Sequence, residues 1–257
     1  MTAIDVVGGV YGERCAFPTW EQIFGSAGRA AAALSGHATV RLHTLVPPGF
    51  AARVAASLGA FDVQLNVRHS EQFIGFDYLH CLSDPRITPS VDEIRPQTPF
   101  QIDGDRVVQF GMMECQPRTT ARMCVYDPQS PRAPVAFRDT GSTAERLAII
   151  LNEGEAFRLT GDAPDQAGPK LIEREGAEVV VIKRGLRGAV VFEQGQPPET
   201  VPAFKTNNVF TIGSGDVFVA AFARAWMLEG MPAGEAAIFA SKAAADYVET
   251  TVLPAMK

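Results

Sequence analysis

Short β-branched runs alternate with helix-forming segments along most of this chain, and that alternation limits its fold more than any other feature. Residues 4–9 are a β-rich run ending in glycines, and 28–35 follow as an alanine-rich helix. Residues 39–46 alternate apolar and polar side chains like a strand, and 50–58 read as a helix ended by Gly59. Strands are expected at 61–67, 75–82, 121–126, 178–183 and 189–193, and helices at 143–151, 153–159 and 169–175. Two strong helices, 215–228 and 233–249, are separated by Gly230 and Pro232. Such a rhythm predicts an α/β fold, a mainly parallel central sheet with helices on both faces. Residues 84–118 break it with several prolines and two strand-like runs, 99–102 and 107–112, around Asp103-Gly104-Asp105. That turn signal predicts a hairpin, serving as part of a lid or as an oligomer contact.

A chain of 257 residues can bury a large core, and it shows no repeat, low-complexity tract or linker, so one domain over residues 1–257 is expected. The 23 Lys and Arg against 29 Asp and Glu give a net charge of −6. This argues against nucleic acid or an anionic membrane as partner, since phosphates need a basic face. No apolar run approaches the roughly 18–20 residues of a membrane span. Met1-Thr2-Ala3-Ile4-Asp5 lacks the basic and apolar regions of a signal peptide. Cys15, Cys81, Cys115 and Cys124 are scattered with no C-x-x-C, which reads as reduced thiols in a cytoplasmic protein. The four histidines, His37, His43, His69 and His80, lack metal-like spacing. The expected partner is a small molecule.

Three segments carry chemistry. Thr211-Ile212-Gly213-Ser214-Gly215-Asp216 opens a helix with two glycines, a serine and an aspartate. Free amides and the positive dipole end make such a start an anion site, and the adjacent aspartate can take a proton from a hydroxyl. The alternative is that Ser214 and Asp216 only cap the helix. Asn152-Glu153-Gly154-Glu155 spaces two hard oxygen donors for hydrated Mg²⁺, or else forms a capping box. In Val179–Gly188 a buried strand delivers Lys183 and Arg184 into the turn Gly185-Leu186-Arg187-Gly188, facing nucleotide phosphates or simply solvent.

The order Asn-x-x-Glu, Lys-Arg-Gly-x-x-Gly, Gly-Ser-Gly-Asp, followed by two helices, resembles the ribokinase-like (PfkB) family of sugar and nucleoside kinases. The likeness runs from Tyr126-Asp127-Pro128 through the second half of the chain. It implies a ribokinase-like three-layer sandwich and transfer of the ATP γ-phosphoryl group to a hydroxyl of a small sugar-like or nucleoside acceptor. Asp216 would be the base, and the amides of Gly213, Ser214, Gly215 and Asp216 the anion hole. Asn152 and Glu155 would organise Mg²⁺, while Lys183, Gly185, Gly188 and Ser241 border the nucleotide. On the acceptor side Glu13 stands for the family's aspartate. Gly25-Ser26-Ala27-Gly28-Arg29-Ala30 stands for Gly-Gly-x-x-Ala-Asn, which would make Gly25 and Arg29 substrate contacts and suit Arg29 to an anionic acceptor, the alternative being a surface helix residue paired with Glu21 or solvent.

The family's sugar-binding Asn is Ala30 here, Phe210 stands where Asp is frequent, and only eleven residues between Glu13 and Gly25 imply a reduced lid. Phe17, Trp20 and Phe24 crowd that connection, to stack on a ligand or to staple the loop. Asp127 and Asp139 read as turn residues. A homodimer is left open. The competing reading is a non-catalytic nucleotide or metabolite sensor derived from this fold. A dinucleotide oxidoreductase is disfavoured, because Gly8-Gly9-Val10-Tyr11-Gly12 lacks G-x-G-x-x-G spacing.

Overall fold

The computed structural model describes residues 2–130 and 133–253. Its first half runs β1 (Ala3–Val7), β2 (Gly12–Phe17), β3 (Trp20–Ile23), α1 (Gly25–Leu34), β4 (Thr39–Val46), α2 (Pro48–Leu58), β5 (Gln64–His69), β6 (Gly75–His80), β7 (Arg86–Thr88) and β8 (Gln101–Phe110). The second half runs β9 (Arg118–Asp127), β10 (Thr143–Asn152), α3 (Glu153–Thr160), α4 (Pro164–Glu175), β11 (Val179–Lys183), β12 (Ala189–Glu193), β13 (Glu199–Val201), α5 (Ser214–Ala223) and α6 (Ala233–Thr250). Nine strands form one sheet in the order β13-β12-β11-β10-β9-β8-β1-β4-β5. All neighbours are parallel except β11-β12 and β12-β13.

The strand sequences explain the layers. Along β11 the residues Val179 and Val181 join the core under α1, α2, α5 and α6, while Val180 and Ile182 join the core under α3 and α4. A parallel strand covered on both faces reads as a continuous apolar run for this reason. The same cause corrects the helix expected at 143–151. Leu147, Ile149 and Leu151 face one core and Ala148 and Ile150 the other, and β10 pairs with both β9 and β11. A short buried apolar run carries no periodicity that separates strand from helix, so pairing partners decide.

The hairpin expected over 99–112 is also corrected. Residues 101–110 form one uninterrupted strand, β8, parallel to β1 and β9, so this segment belongs to the main sheet and not to the lid. Gly104 serves close packing, since a Cβ there would lie 2.9 Å from Asp5 Oδ2 and from Val107 Cγ2. The lid is a separate four-stranded sheet, β3-β2-β6-β7, with strands of 3 to 6 residues. The 75–82 segment belongs to it as β6. Trp20 packs edge-on against Phe210 at 5.2 Å between centroids, and Thr211 Oγ1 donates to Cys81 O at 2.8 Å. The lid is thereby fastened to the segment leading into α5. Trp20 and Phe24 act as staples, the latter against Phe61, whereas Phe17 is exposed.

Two crossovers between neighbouring parallel strands show no α-helix among the described residues: 111–117 join β8 to β9, and 128–142 join β9 to β10 with a 3₁₀ turn at Arg138–Thr140. One face of β8, β1, β4 and β5 consequently carries polar side chains. Asp5 is buried there between Arg41 Nη2 and His43 Nε2, each at 2.7 Å. Among the described residues no helix is long and apolar enough to cross a membrane.

Candidate active site

The carboxyl ends of the parallel strands converge on one edge, where ligands of open α/β sheets bind. Asp127 ends β9, Asn152 ends β10, and Lys183 ends β11 in register with Asn152. The helix α5 starts above them. Gly213 adopts φ +81, and a Cβ there would fall 2.3 Å from the Arg29 guanidinium carbon. Only glycine fits. The Ser214 amide donates to Thr211 O at 3.1 Å and the Val217 amide to Gly213 O at 3.1 Å, whereas the amides of Gly215 and Asp216, in the first turn, lack helical acceptors by geometry.

Asp216 is buried, 8% exposed, and borders a cleft of about 530 Å³ beneath the lid. The cleft is also lined by Tyr11, Glu13, Gly25, Phe76 and Tyr78, while Arg158 from α3 reaches its rim. Arg29 does not reach it: the side chain is fully buried, with Nη1 2.6 Å from Asp216 Oδ2 and Nη2 2.5 Å from Glu13 Oε2. Both amino nitrogens of Arg29 are spent within the protein, so its geometry does not carry the role of binding an anionic acceptor. Burial raises the Glu13 carboxyl above its ordinary range in spite of Arg29, and burial likewise raises the Tyr78 phenol. Gly25, at φ +57, lets α1 begin against the β1–β2 link, because a Cβ would lie 2.6 Å from Gly9 O. Its amide donates to Glu13 Oε2 at 3.2 Å.

On the other side of α5, Lys183 Nζ lies 3.5 Å from where a Gly215 Cβ would stand and 3.0 Å from Asp127 Oδ2. Burial pushes the Asp127 carboxyl well up, Lys183 opposing and Glu155 and Asp216 reinforcing. Asp127 keeps the expected turn role, its Oδ1 accepting from the Gln129 amide at 3.1 Å, and its contact with Lys183 at the sheet edge is the part that the turn reading did not include. The available signal was its position closing a buried strand that must end at the same sheet edge as Asn152 and Lys183.

Asn152 and Glu155 form the capping box: Asn152 N donates to Glu155 Oε2 at 2.8 Å and Glu155 N to Asn152 Oδ1 at 2.9 Å. No cluster of three or more His, Cys, Asp or Glu side chains able to hold a metal occurs among the described residues. The donors present are hard oxygens, with Glu155 buried near Lys183 and Asp127. This set fits a hydrated Mg²⁺ held through its waters rather than by a protein cage.

Two of the residues expected beside the nucleotide, Gly188 and Ser241, lie against the end of β13 and the residue after it. Gly188, at φ +79, lies so close to Val201 O that a Cβ would be 1.9 Å away, and Gly185 is left-handed at φ +58. Ser241 Oγ on α6 donates to Pro202 O at 2.7 Å, so the hydroxyl is engaged internally. The apolar side chains of Leu186, Phe204 and Ile238 are exposed on these segments. Phe210 is buried with Ile212 and Cys15, an apolar anchor for the lid.

Comparison with known proteins agrees with this architecture. The chain is similar to a ribokinase of Thermotoga maritima, TM-score 0.71 and 16% identity over 99% of this chain and 95% of that one. It is similar to a fructokinase of Vibrio cholerae, TM-score 0.72 and 13% identity over 99% and 95%. These likenesses carry the ribokinase fold. In sequence it is 44% identical over 82 residues to ribokinase of Mus musculus, covering 29% of this chain and 25% of that protein. Against ribokinase of Arabidopsis thaliana it is 37% identical over 115 residues, covering 41% and 29%. The matches thus span between a quarter and a third of those relatives. Residues 112–251 match the pfkB family carbohydrate kinase model, and the chain belongs to that family of carbohydrate phosphotransferases.

Proposed function

We propose that this protein transfers the γ-phosphoryl group of ATP to a hydroxyl of a small sugar-like or nucleoside acceptor bound beneath the lid. The observation that carries the reading is that Asp216 and the first turn of α5 open onto the same cleft as Glu13 and Tyr78. Phosphoryl transfer depends mainly on positioning and charge stabilisation. Asp216 takes the hydroxyl proton as the acceptor oxygen bonds to phosphorus, and the bond from phosphorus to the bridging oxygen breaks with its electron pair leaving on ADP. The amides of Gly215 and Asp216, with Lys183 beside them, face the transferring group and oppose its negative charge. Asn152 and Glu155 would hold Mg²⁺ through water, and the ion would supply positive charge opposite the donor phosphates. Gly185, Gly188 and Ser241 border the nucleotide, with Leu186, Phe204 and Ile238 offering apolar surface for a base.

The test is acceptor-dependent ADP release with Mg²⁺-ATP and D-ribose, D-fructose, myo-inositol and inosine. Turnover with one of them is expected to fall about 10²–10⁴-fold in Asp216→Asn, while the ATP KM stays within a few-fold. A variant retaining near wild-type turnover removes Asp216 from the role of base. Tight nucleotide binding without turnover across the panel favours a sensor.

A further inference from the structure

Arg29, which the steps above do not use, sits at the centre of a buried charge cluster. Its guanidinium is fully buried, bridging Asp216 of α5 and Glu13 of the lid strand β2. The backbone of Gly213 covers it so closely that a Cβ would lie 2.3 Å from both Cζ and Nε, and Nε is buried with no hydrogen-bond partner. The Phe24 ring lies 5.9 Å from Cζ. This side chain places a single positive charge between two carboxylates that both border the cleft.

We propose that Arg29 is a positioning residue for Asp216: it fixes Oδ2 in an ion pair, leaving Oδ1 as the oxygen for the acceptor hydroxyl, and keeps Asp216 and Glu13 ionised together. The inference rests on the reading of Asp216 as the base. Two carboxylates sharing a buried site without a cation disfavour each other's charged form, which favours a proton on one of them. A protonated Asp216 has no capacity to accept the hydroxyl proton. The other groups acting on Asp216 do not replace Arg29. Lys183 from β11 is engaged by Asp127 from β9, while Tyr78 from β6 and Tyr247 from α6 carry phenols raised by burial and are neutral. Tyr247 donates to Ile212 O at 3.0 Å.

The experiment is a ¹³C NMR titration of aspartate side-chain carboxyls in the full-length protein, with the Asp216 signal assigned by its loss in Asp216→Asn. In Arg29→Met the midpoint of Asp216 is expected to rise by about 1–3 pH units. In Glu13→Gln, which removes the competing negative charge, it is expected to fall. The double variant is expected to return toward the wild-type midpoint. A purely structural role does not predict opposite shifts from the two partners. An unmoved midpoint in both single variants overturns the proposal.

Should Arg29→Met not fold, Glu13→Gln and the charge-conserving Arg29→Lys carry the test, the latter expected to keep the midpoint within about half a unit. With whichever acceptor turns over, Arg29→Met is expected to lower kcat by about 10²-fold at nearly constant acceptor KM. A raised acceptor KM at unchanged kcat instead makes Arg29 an acceptor-binding residue. The titration needs no acceptor, so it decides the role of Arg29 even where the proposed activity fails.

Discussion

A glycine before a helix is ordinary, but Gly213 answers to two demands at once. Its φ of +81 lies in the left-handed region, and the space a methyl would fill holds the Arg29 guanidinium. Gly195 shares the first demand, at φ +77, with no atom within 4 Å of its would-be Cβ. Gly195→Ala should therefore cost about 1–2 kcal/mol of strain alone. Gly213→Ala should cost more and also displace a buried cation, within the range of about 3–5 kcal/mol seen when a buried pair is broken. Urea unfolding of the two variants checks the difference; equal midpoints contradict the packing of Arg29 against Gly213. Glycines at this position read from sequence as an anion loop, whereas their contact with residue 29 is invisible without the fold.

At the scale of elements, the segment between β13 and α5 has no regular structure and hangs on a few polar ties. Glu249 near the end of α6 accepts from the Asn207 amide at 2.5 Å and from the Asn208 amide at 3.2 Å. These bonds hold the Glu249 carboxyl below its ordinary range. A depressed carboxyl stabilises the structure fully above its unfolded pKa of about 4.3 and loses that contribution as pH falls through the folded value. Glu249→Gln should speed amide exchange at 207 and 208 at pH 7, with the gap to wild type closing near pH 3. Exchange unaffected at pH 7 would remove Glu249 from the tie.

The lid depends on this segment too. Thr211→Val, which deletes the bond to Cys81 O, should increase proteolytic cleavage of the lid strands while sparing the main sheet. None of these ties has a sequence signature, because each joins residues distant along the chain.

At the scale of the whole molecule, a parallel sheet normally buries both faces, yet here one face of β8, β1, β4 and β5 stays polar where crossover helices are missing. Asp5 shows how a charge is tolerated in it. Burial alone would raise its carboxyl, but hydrogen bonds from His43 and Arg41 outweigh burial and hold it below the usual range. Its contribution is complete above the unfolded value of about 3.9 and lost as pH falls through the folded value. Asp5→Asn should lower the urea midpoint at pH 7, and the difference should shrink toward pH 3. A constant difference would assign the loss to packing instead.

The proposed kinase reading has a molecular counterpart in ligand linkage. Mg²⁺-ATP at about 100 times its Kd should stabilise the fold by about 2.7 kcal/mol. For a chain of this size that raises Tm by roughly 5–10 °C, measurable by thermal denaturation with and without nucleotide.

Local sequence determined a good deal by itself: the α/β rhythm, the strand β11 feeding a glycine turn, the α5 start at Gly-Ser-Gly-Asp, and the Asn152–Glu155 cap. Each is written in neighbouring residues, where backbone conformation, capping and burial are set by nearest partners. Tertiary structure decided the rest. Residues 143–152 became a strand because β9 and β11 flank them, and 101–110 became one strand because β1 and β9 flank them. Asp127 joined the site because parallel strands end at one edge. Arg29, read as a contact for an anionic acceptor, is closed in by Glu13 and Asp216 from elements far apart in the chain. Charge in a low-dielectric interior acts through space, so its partners are fixed only when the chain has folded around them.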